Sequence, residues 1–179
     1  MKIIGKLLLA ALVVAVVCFF AAPAVGFFAI RSAADSNDVQ GLARLIDYGA
    51  VRQSLRPQLS GDPAARVPPP SFLEDPIGAV RRQLDDAAPP LVAETDAYLT
   101  PSALAALSRG EGRASVRLGA VERDPLPTPV YWSVNRARMA VADEAGARTI
   151  FTFERRGPFE WKLVHIGLPE PARPAPRRN

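Results

Sequence analysis

Cysteine and histidine occur once each in this chain, at Cys18 and His165, and lysine only three times, at Lys2, Lys6 and Lys162. One cysteine excludes an intrachain disulfide and a cysteine-based metal cage. Nor does Cys18 sit in a lipidation signal, which needs small residues just before the thiol. Val16 and Val17 precede it, and bulky Phe19 and Phe20 follow. One histidine cannot anchor a histidine-rich metal site, and as a general base it needs a partner that the sequence does not identify. The phosphate-binding loop, G-x-G-x-x-G, G-x-S-x-G and H-E-x-x-H are all missing. No metal, cofactor or catalytic residue is therefore expected, and the chain is not read as an enzyme. Asp85-Asp86, Arg81-Arg82 and Arg155-Arg156 read as solvated surface.

A basic surface is missing too. The formal net charge is +4, but Lys2 and Lys6 precede an apolar run and Arg173, Arg177 and Arg178 lie in the tail. Between Arg31 and Pro169, 17 basic residues face 17 acidic ones. A nucleic-acid binder needs a positive surface to displace counterions, so no nucleic-acid partner is expected. The preference for arginine over lysine, with abundant alanine and proline, follows a GC-rich coding bias and is not read as function.

What the chain does have is a long hydrophobic run. Leu7 to Ile30 contains no charge over 24 residues, roughly 36 Å of helix, enough for a hydrocarbon core of ~30 Å. Lys2 and Lys6 before it place the N-terminus in the cytoplasm by the positive-inside rule. The expectation is a single-pass anchor in a bacterial inner membrane with a periplasmic domain. The alternative is a signal peptide cleaved at Ala22-Pro23-Ala24, releasing the domain into the periplasm. Against cleavage, the run exceeds the ~7–15 residues of a signal h-region and continues through Val25, Phe27, Phe28 and Ile30. Pro23 is expected to kink the span or mark its outer end.

Beyond the run the periodicity is helical. Asn37 and Gln40 have capping-box spacing, followed by Val39, Leu42, Leu45 and Ile46, with Gly49 as the helix terminator. Val51, Leu55 and Leu59 continue one apolar face over a second helix. Asp47, at the junction, is positioned to cap that helix or to pair with Arg52. Gln58 to Ser71 reads as a loop. Asp75-Pro76 starts a helix with Ile77, Val80 and Leu84 buried, ended by Pro89-Pro90. Leu91 to Leu99 reads as a helix or short loop, and Thr100-Pro101 starts another that Gly110 closes.

After Gly110 the period becomes two. Val130 to Ala142 alternates Ala137, Met139 and Val141 against Arg136, Arg138 and Ala140. Ala147 to Arg155 puts Phe151 and Phe153 on one face. Phe159 to Ile166 puts Phe159, Trp161, Leu163 and His165 on one face. Tight turns at Asp143–Gly146 and Arg156–Pro158 make an antiparallel meander, with Arg113 to Val121 as a further candidate strand. Helices followed by an antiparallel sheet mean α+β, with helices on one face of a curved sheet. A nuclear-transport-factor-2-like roll with an aromatic cavity is one such form. The expected organisation is an anchor over 1–30, an exported α+β domain over 31–169 and a disordered Pro/Arg tail over 170–179.

"AIRSAADSNDVQGLARLIDYGAVRQSL", following directly on the apolar run, resembles an uncharacterised bacterial family, domain of unknown function 2939. Its members are exported or membrane-anchored, with an Asp in this stretch and an Arg a few residues later, here Asp47 and Arg52. "FEWKLVHIGLP" is similar to the family's closing strand. Gly49 departs from the pattern, where a residue such as Pro is expected. The resemblance implies topology only and supplies no activity, cofactor or catalytic residue. Two functions stay open: a non-enzymatic envelope domain that binds a protein or other envelope partner, and a small-molecule-binding or isomerase-like roll.

Overall fold

One helix carries the chain from the apolar run into the folded part. In the computed structural model, which describes residues 2–61, 67, 68, 75, 77, 92–117 and 123–169, α1 spans Lys2–Asp35. Pro23 lies inside it and does not end it. α1 stops in a Schellman turn. Asn37 takes a left-handed φ of 54°, which asparagine tolerates better than most residues. The Asp38 N–H then donates to Ala33 O (2.8 Å) and the Asn37 N–H to Ala34 O (3.2 Å). The next helix, α2 (Val39–Leu45), is therefore capped by Asp38, whose carboxylate accepts from Gly41 N at 2.8 Å. The Asn37/Gln40 box does not form, because Asn37 is used in the reversal out of α1.

The break after α2 falls at Ile46-Asp47, not at Gly49. Ile46 is extended, bridges to Leu163, and the following Asp47 N–H donates to Leu163 O at 2.9 Å. Gly49 lies in the first turn of α3 (Tyr48–Leu59). This helix runs past Pro57, so Gln58 is helical and buried rather than part of a loop. α4 (Val92–Ala97) and α5 (Pro101–Ser108) follow, the second capped by Thr100 Oγ1 accepting from Ala103 N. Gly110 closes it with φ 91°, and a Cβ there would meet Ala142 O at 2.6 Å. Gly112–Val116 is a 3-10 turn, so the strand expected from Arg113 does not begin there. The helix expected after Asp75-Pro76, its Pro89-Pro90 end, most of the preceding loop and the tail lie outside the described residues.

The sheet is a meander in the order β1-β2-β3-β4: β1 Thr128–Trp132, β2 Arg136–Ala142, β3 Arg148–Arg155 and β4 Trp161–Gly167. All neighbours are antiparallel, and the class is α+β. The first expected strand is two, because the chain turns at Ser133–Asn135, where Ser133 N donates to Arg136 O at 2.7 Å. Pairing of Ala137 with Phe153 and Leu163, and of Met139 with Phe151 and Ile166, defines an inner face. A bulge at Val164 separates those pairs, since Thr152 opposes His165 while Phe153 opposes Leu163. That extra residue turns His165 to the opposite face from Leu163, against simple alternation. Phe159 falls in the turn before β4 and is 60% exposed, so it leaves the core face as well.

α1 covers the inner face. The Phe27 ring meets Phe151 edge-on at 5.1 Å, and Gly26 allows the helix to lie against Phe153, whose ring carbons are 3.7 Å from where a Cβ would be. Phe151 and Phe153 are almost fully buried, so this aromatic face is packed and does not line a roll-type cavity. The opposite face is buried as well at Arg136, Ala140, Thr152 and His165, so cover is not confined to one side. α3 shields the outer edge of β4. Ser54 Oγ accepts from Ile166 N, and the Gln58 amide donates to Ile166 O and accepts from Leu168 N, both at 2.8 Å. These side chains do for β4 what another strand would do, which protects an edge from foreign pairing. β1, the other edge, is exposed and carries Pro129.

Candidate functional site

Where α1 leaves the sheet, a cleft of about 520 Å³ opens between its last turns and α5, lined by Phe28, Arg31, Ser32, Asp35, Ser36, Arg109 and Asp124. Helical spacing accounts for the wall. Phe27, Ile30, Ala33 and Ala34 point into the core, while Phe28, Ser32 and Asp35 point out. Arg31 falls between the two sets and is 4% exposed. Its guanidinium donates to Ser108 Oγ (3.3 Å), Ser108 O, Asp124 Oδ1 (2.5 Å) and Pro125 O (2.8 Å). The rings of Phe27 and Phe28 lie 5.1 and 5.6 Å from its central carbon. A planar fork with five donors suits this set of acceptors, which a lysine could not serve.

Arg109, just past α5, makes a two-pronged bond to Asp35 at 2.7 and 2.9 Å. The Asp35 hydrogen bond holds the Arg109 pKa above its ordinary value, outweighing burial, which lowers it. Asp35 closes the last turn of α1, where the helix dipole disfavours an acid, and Arg109 offsets that. Each charge in the cleft is thus engaged in a pair that ties α1 to α5 or to the segment before β1. Such a wall offers shape and rim polarity and leaves no unpaired charge among its described residues. His165 lies elsewhere, 3% exposed on the far face of the sheet, and does not reach this cleft. Among the described residues no group of three or more His, Cys, Asp or Glu could hold a metal.

Asp47 and Arg52 do not pair with each other. Asp47 caps α3, its Oδ1 accepting from Ala50 N at 3.1 Å, and its Oδ2 takes Arg156 at 3.3 Å. Arg52 faces α4, with its Nε 2.6 Å from Asp96 Oδ1. The cap at Asp47 was legible in the sequence. The partners were not, because each comes from an element far along the chain. Arg31 was missed as a candidate altogether. The available signal was a lone arginine at helical spacing (27, 30, 31, 34) from the residues that end an apolar run.

The other end of the α1 contact carries aromatics. Phe20 stacks on Trp132 at 4.4 Å between centroids, Phe19 meets the same ring edge-on at 5.4 Å, and Arg155 sits 5.8 Å above Phe19. Before Phe19 the described side chains of α1 are all exposed. The helix from Ile4 to Asp35 is long and apolar enough to cross a membrane by length and composition, a test that an anchor and a signal sequence pass alike.

Fold and site together define an α+β domain joined without a break to a long apolar N-terminal helix. The family described as a protein of unknown function, domain of unknown function 2939, matches residues 12–107, more than half of the chain. The chain belongs to this family. The match begins inside the apolar part of α1 and ends in α5, so it takes in the cleft-forming turns of α1, the cap at Asp47 and the Arg52–Asp96 pair. No curated protein and no solved structure matches the chain.

Proposed function

We propose that this protein is a single-pass, membrane-anchored envelope protein, N-terminus inside and domain on the periplasmic side, that acts by binding a partner and not by catalysis. The observation that carries the anchored reading is the seating of Phe19 and Phe20 on Trp132. Both phenylalanines precede the candidate cleavage site at Ala22-Pro23-Ala24. Cleavage there, after Ala24, would strip the Trp132 face and remove Pro23, which is buried. Retention keeps the tertiary contact and leaves the exposed apolar residues before it for lipid. The binding reading rests on the cleft, whose charges are committed to one another and whose shape is open. The small-molecule roll has less support, since α1 fills the aromatic face that would have lined its cavity.

Fusing alkaline phosphatase after Pro169 tests the orientation: enzyme activity is expected there, and an active cytoplasmic reporter at the same point would reverse it. A photo-crosslinker at Ser32, in the cleft, is expected to give a discrete protein adduct that one at Ala145 does not. Reproducible turnover by the purified full chain would overturn the non-enzymatic reading.

A further inference from the structure

The free part of α1 is short. From Ile4 to Cys18 every residue is exposed, and from Phe19 onward the helix touches the domain. Those 15 residues make about 22 Å of helix at ~1.5 Å per residue, whereas a hydrocarbon core is ~30 Å thick. If α1 crosses a bilayer as the anchored reading holds, its last membrane turns are ones already in contact with the sheet. The domain then cannot stand clear of the lipid.

Strand direction says which surface meets the lipid. Phe151 lies beside Phe27, Phe153 beside Gly26 and Arg155 over Phe19, so β3 runs antiparallel to α1 and its end points toward the membrane. Two turns lie at that end, Ser133–Asn135 and Arg156–Glu160. They are joined, because Arg155 N donates to Asn135 O at 3.0 Å and its guanidinium to Asn135 Oδ1 at 2.9 Å. Each turn exposes a large apolar side chain at its tip, Val134 at 57% and Phe159 at 60%. Beside them stand Trp132 and the cations Arg155 and Arg156. Arg156 is engaged by Asp47 and by Glu154, at 3.3 and 3.8 Å. Arg155 has no carboxylate partner among the described residues, while Glu160 is the acid of the same turn. At the opposite end, the Asp143–Gly146 turn offers Asp143, Glu144 and Ala145 and no large apolar group.

We propose that the turns Ser133–Asn135 and Arg156–Glu160 form a membrane-contact surface: Val134 and Phe159 enter the apolar boundary of the bilayer that α1 crosses, and Arg155 meets lipid phosphate. The inference rests on the anchored reading and adds a second, non-helical contact to it. Its chemistry is that of an interfacial belt, where aromatic rings sit at headgroup level and a guanidinium binds phosphate oxygens with charge-assisted bonds. With both the helix and the turns held, the cleft at the far end of α1 is turned away from the lipid.

The full chain in vesicles of phosphatidylethanolamine and phosphatidylglycerol tests this. In a Cys18→Ser background, nitroxide labels are placed singly at Leu12→Cys, Val134→Cys, Phe159→Cys and Ala145→Cys. Collision with oxygen, which concentrates in lipid, is compared with collision with a water-soluble nickel chelate. Labels at 134 and 159 are expected to favour oxygen several-fold over the label at 145 and to approach the label at 12. If the label at 12 is lipid-embedded while 134 and 159 are as water-accessible as 145, the surface is overturned and the anchor stands; a protein partner is then the better occupant. A water-accessible label at 12 removes the anchor and this inference together.

Discussion

The two halves of α1 are both apolar and opposite in circumstance. Ile4 to Cys18 meets nothing in the domain, whereas Phe19 to Asp35 supplies Phe27, Ile30, Ala33 and Ala34 to the core. Hydropathy does not separate them, because both are long apolar stretches, with Lys6 as the charge in the first and Arg31 and Asp35 near the end of the second. The difference lies in side-chain size by position. On the packed half, Ala22 packs on the core and Gly26 lets the axis approach Phe153, while Arg31 turns toward its acceptors Ser108, Asp124 and Pro125. On the free half, leucine and valine occur all round. On the proposed anchored reading, one helix serves as anchor and as core element in one stretch, with the change of role at Phe19.

The largest expected effect breaks the comparison at its centre. Phe27→Ala should destabilise the domain by about 3–5 kcal/mol through the cavity left against Phe151. Leu8→Ala, in the free half, should change folding stability by less than about 0.5 kcal/mol. Urea melts of both variants in mild detergent decide it, and equal effects would mean that the halves are not distinct. Next comes Arg31→Met, expected to cost about 3 kcal/mol, because Ser108 O, Pro125 O and Asp124 lose a buried charged donor. Arg31→Lys should recover only part of that, since an ammonium cannot reach these acceptors together. A lysine variant as stable as the parent would refute the fork geometry.

The packed half also depends on β4 keeping its edge partner. Gln58→Leu leaves the Leu168 N–H and Ile166 O without the amide and should cost about 2 kcal/mol. Amide exchange at Leu168 should speed up in the same variant, a readout that loss of packing elsewhere would not give. Asp47→Ala should cost about 1 kcal/mol through the lost cap, while Arg52→Ala, breaking a half-exposed pair with Asp96, should cost less than about 1 kcal/mol. A larger loss at Arg52 than at Asp47 would reverse the ranking of cap over pair.

The smallest effect is a pH slope. Burial pushes the Tyr98 phenol above its ordinary value, with nearby Arg113 opposing, and burial does the same at Tyr48, opposed by Arg52. A folded pKa above the unfolded one gives a contribution that is complete below the unfolded value of about 10 and is lost as pH rises through the folded value. Melting temperature should therefore fall above that pH, and Tyr98→Phe should flatten the fall. An unchanged slope in the variant would assign the alkaline loss to other groups.

What could be read from the chain follows from how local each feature is. Thr100-Pro101, Gly110, the Asp47 cap and the alternation through Phe151 and Phe153 depend on neighbours within a turn, and they stand where the spacing put them. The Ser133–Asn135 turn is poorly marked because "YWSVNRARM" has no glycine or proline, and its one signal is a slip of phase in the alternation at Asn135-Arg136. The Val164 bulge that moves His165 to the other face has no local marker, and neither does Phe159 leaving the sheet, since both depend on which strand lies alongside. Asn37 looked like a cap because asparagine suits caps and left-handed turns equally. Asp47 and Arg52, the two residues singled out in the sequence, lie outside the cleft, and of them only the Asp47 cap stands as read, since Arg52 pairs with Asp96. Arg31, Asp35, Arg109 and Asp124 come together from segments up to 93 residues apart, which no periodicity encodes.

The central claim is that α1 remains whole and joins membrane to core. Intact mass of the protein recovered from cells, after an alkaline carbonate wash has separated membrane from soluble fractions, tests it most directly. The account predicts the full-length mass in the washed membrane pellet, with residues before Phe19 still attached. A soluble species beginning near Val25 would contradict it.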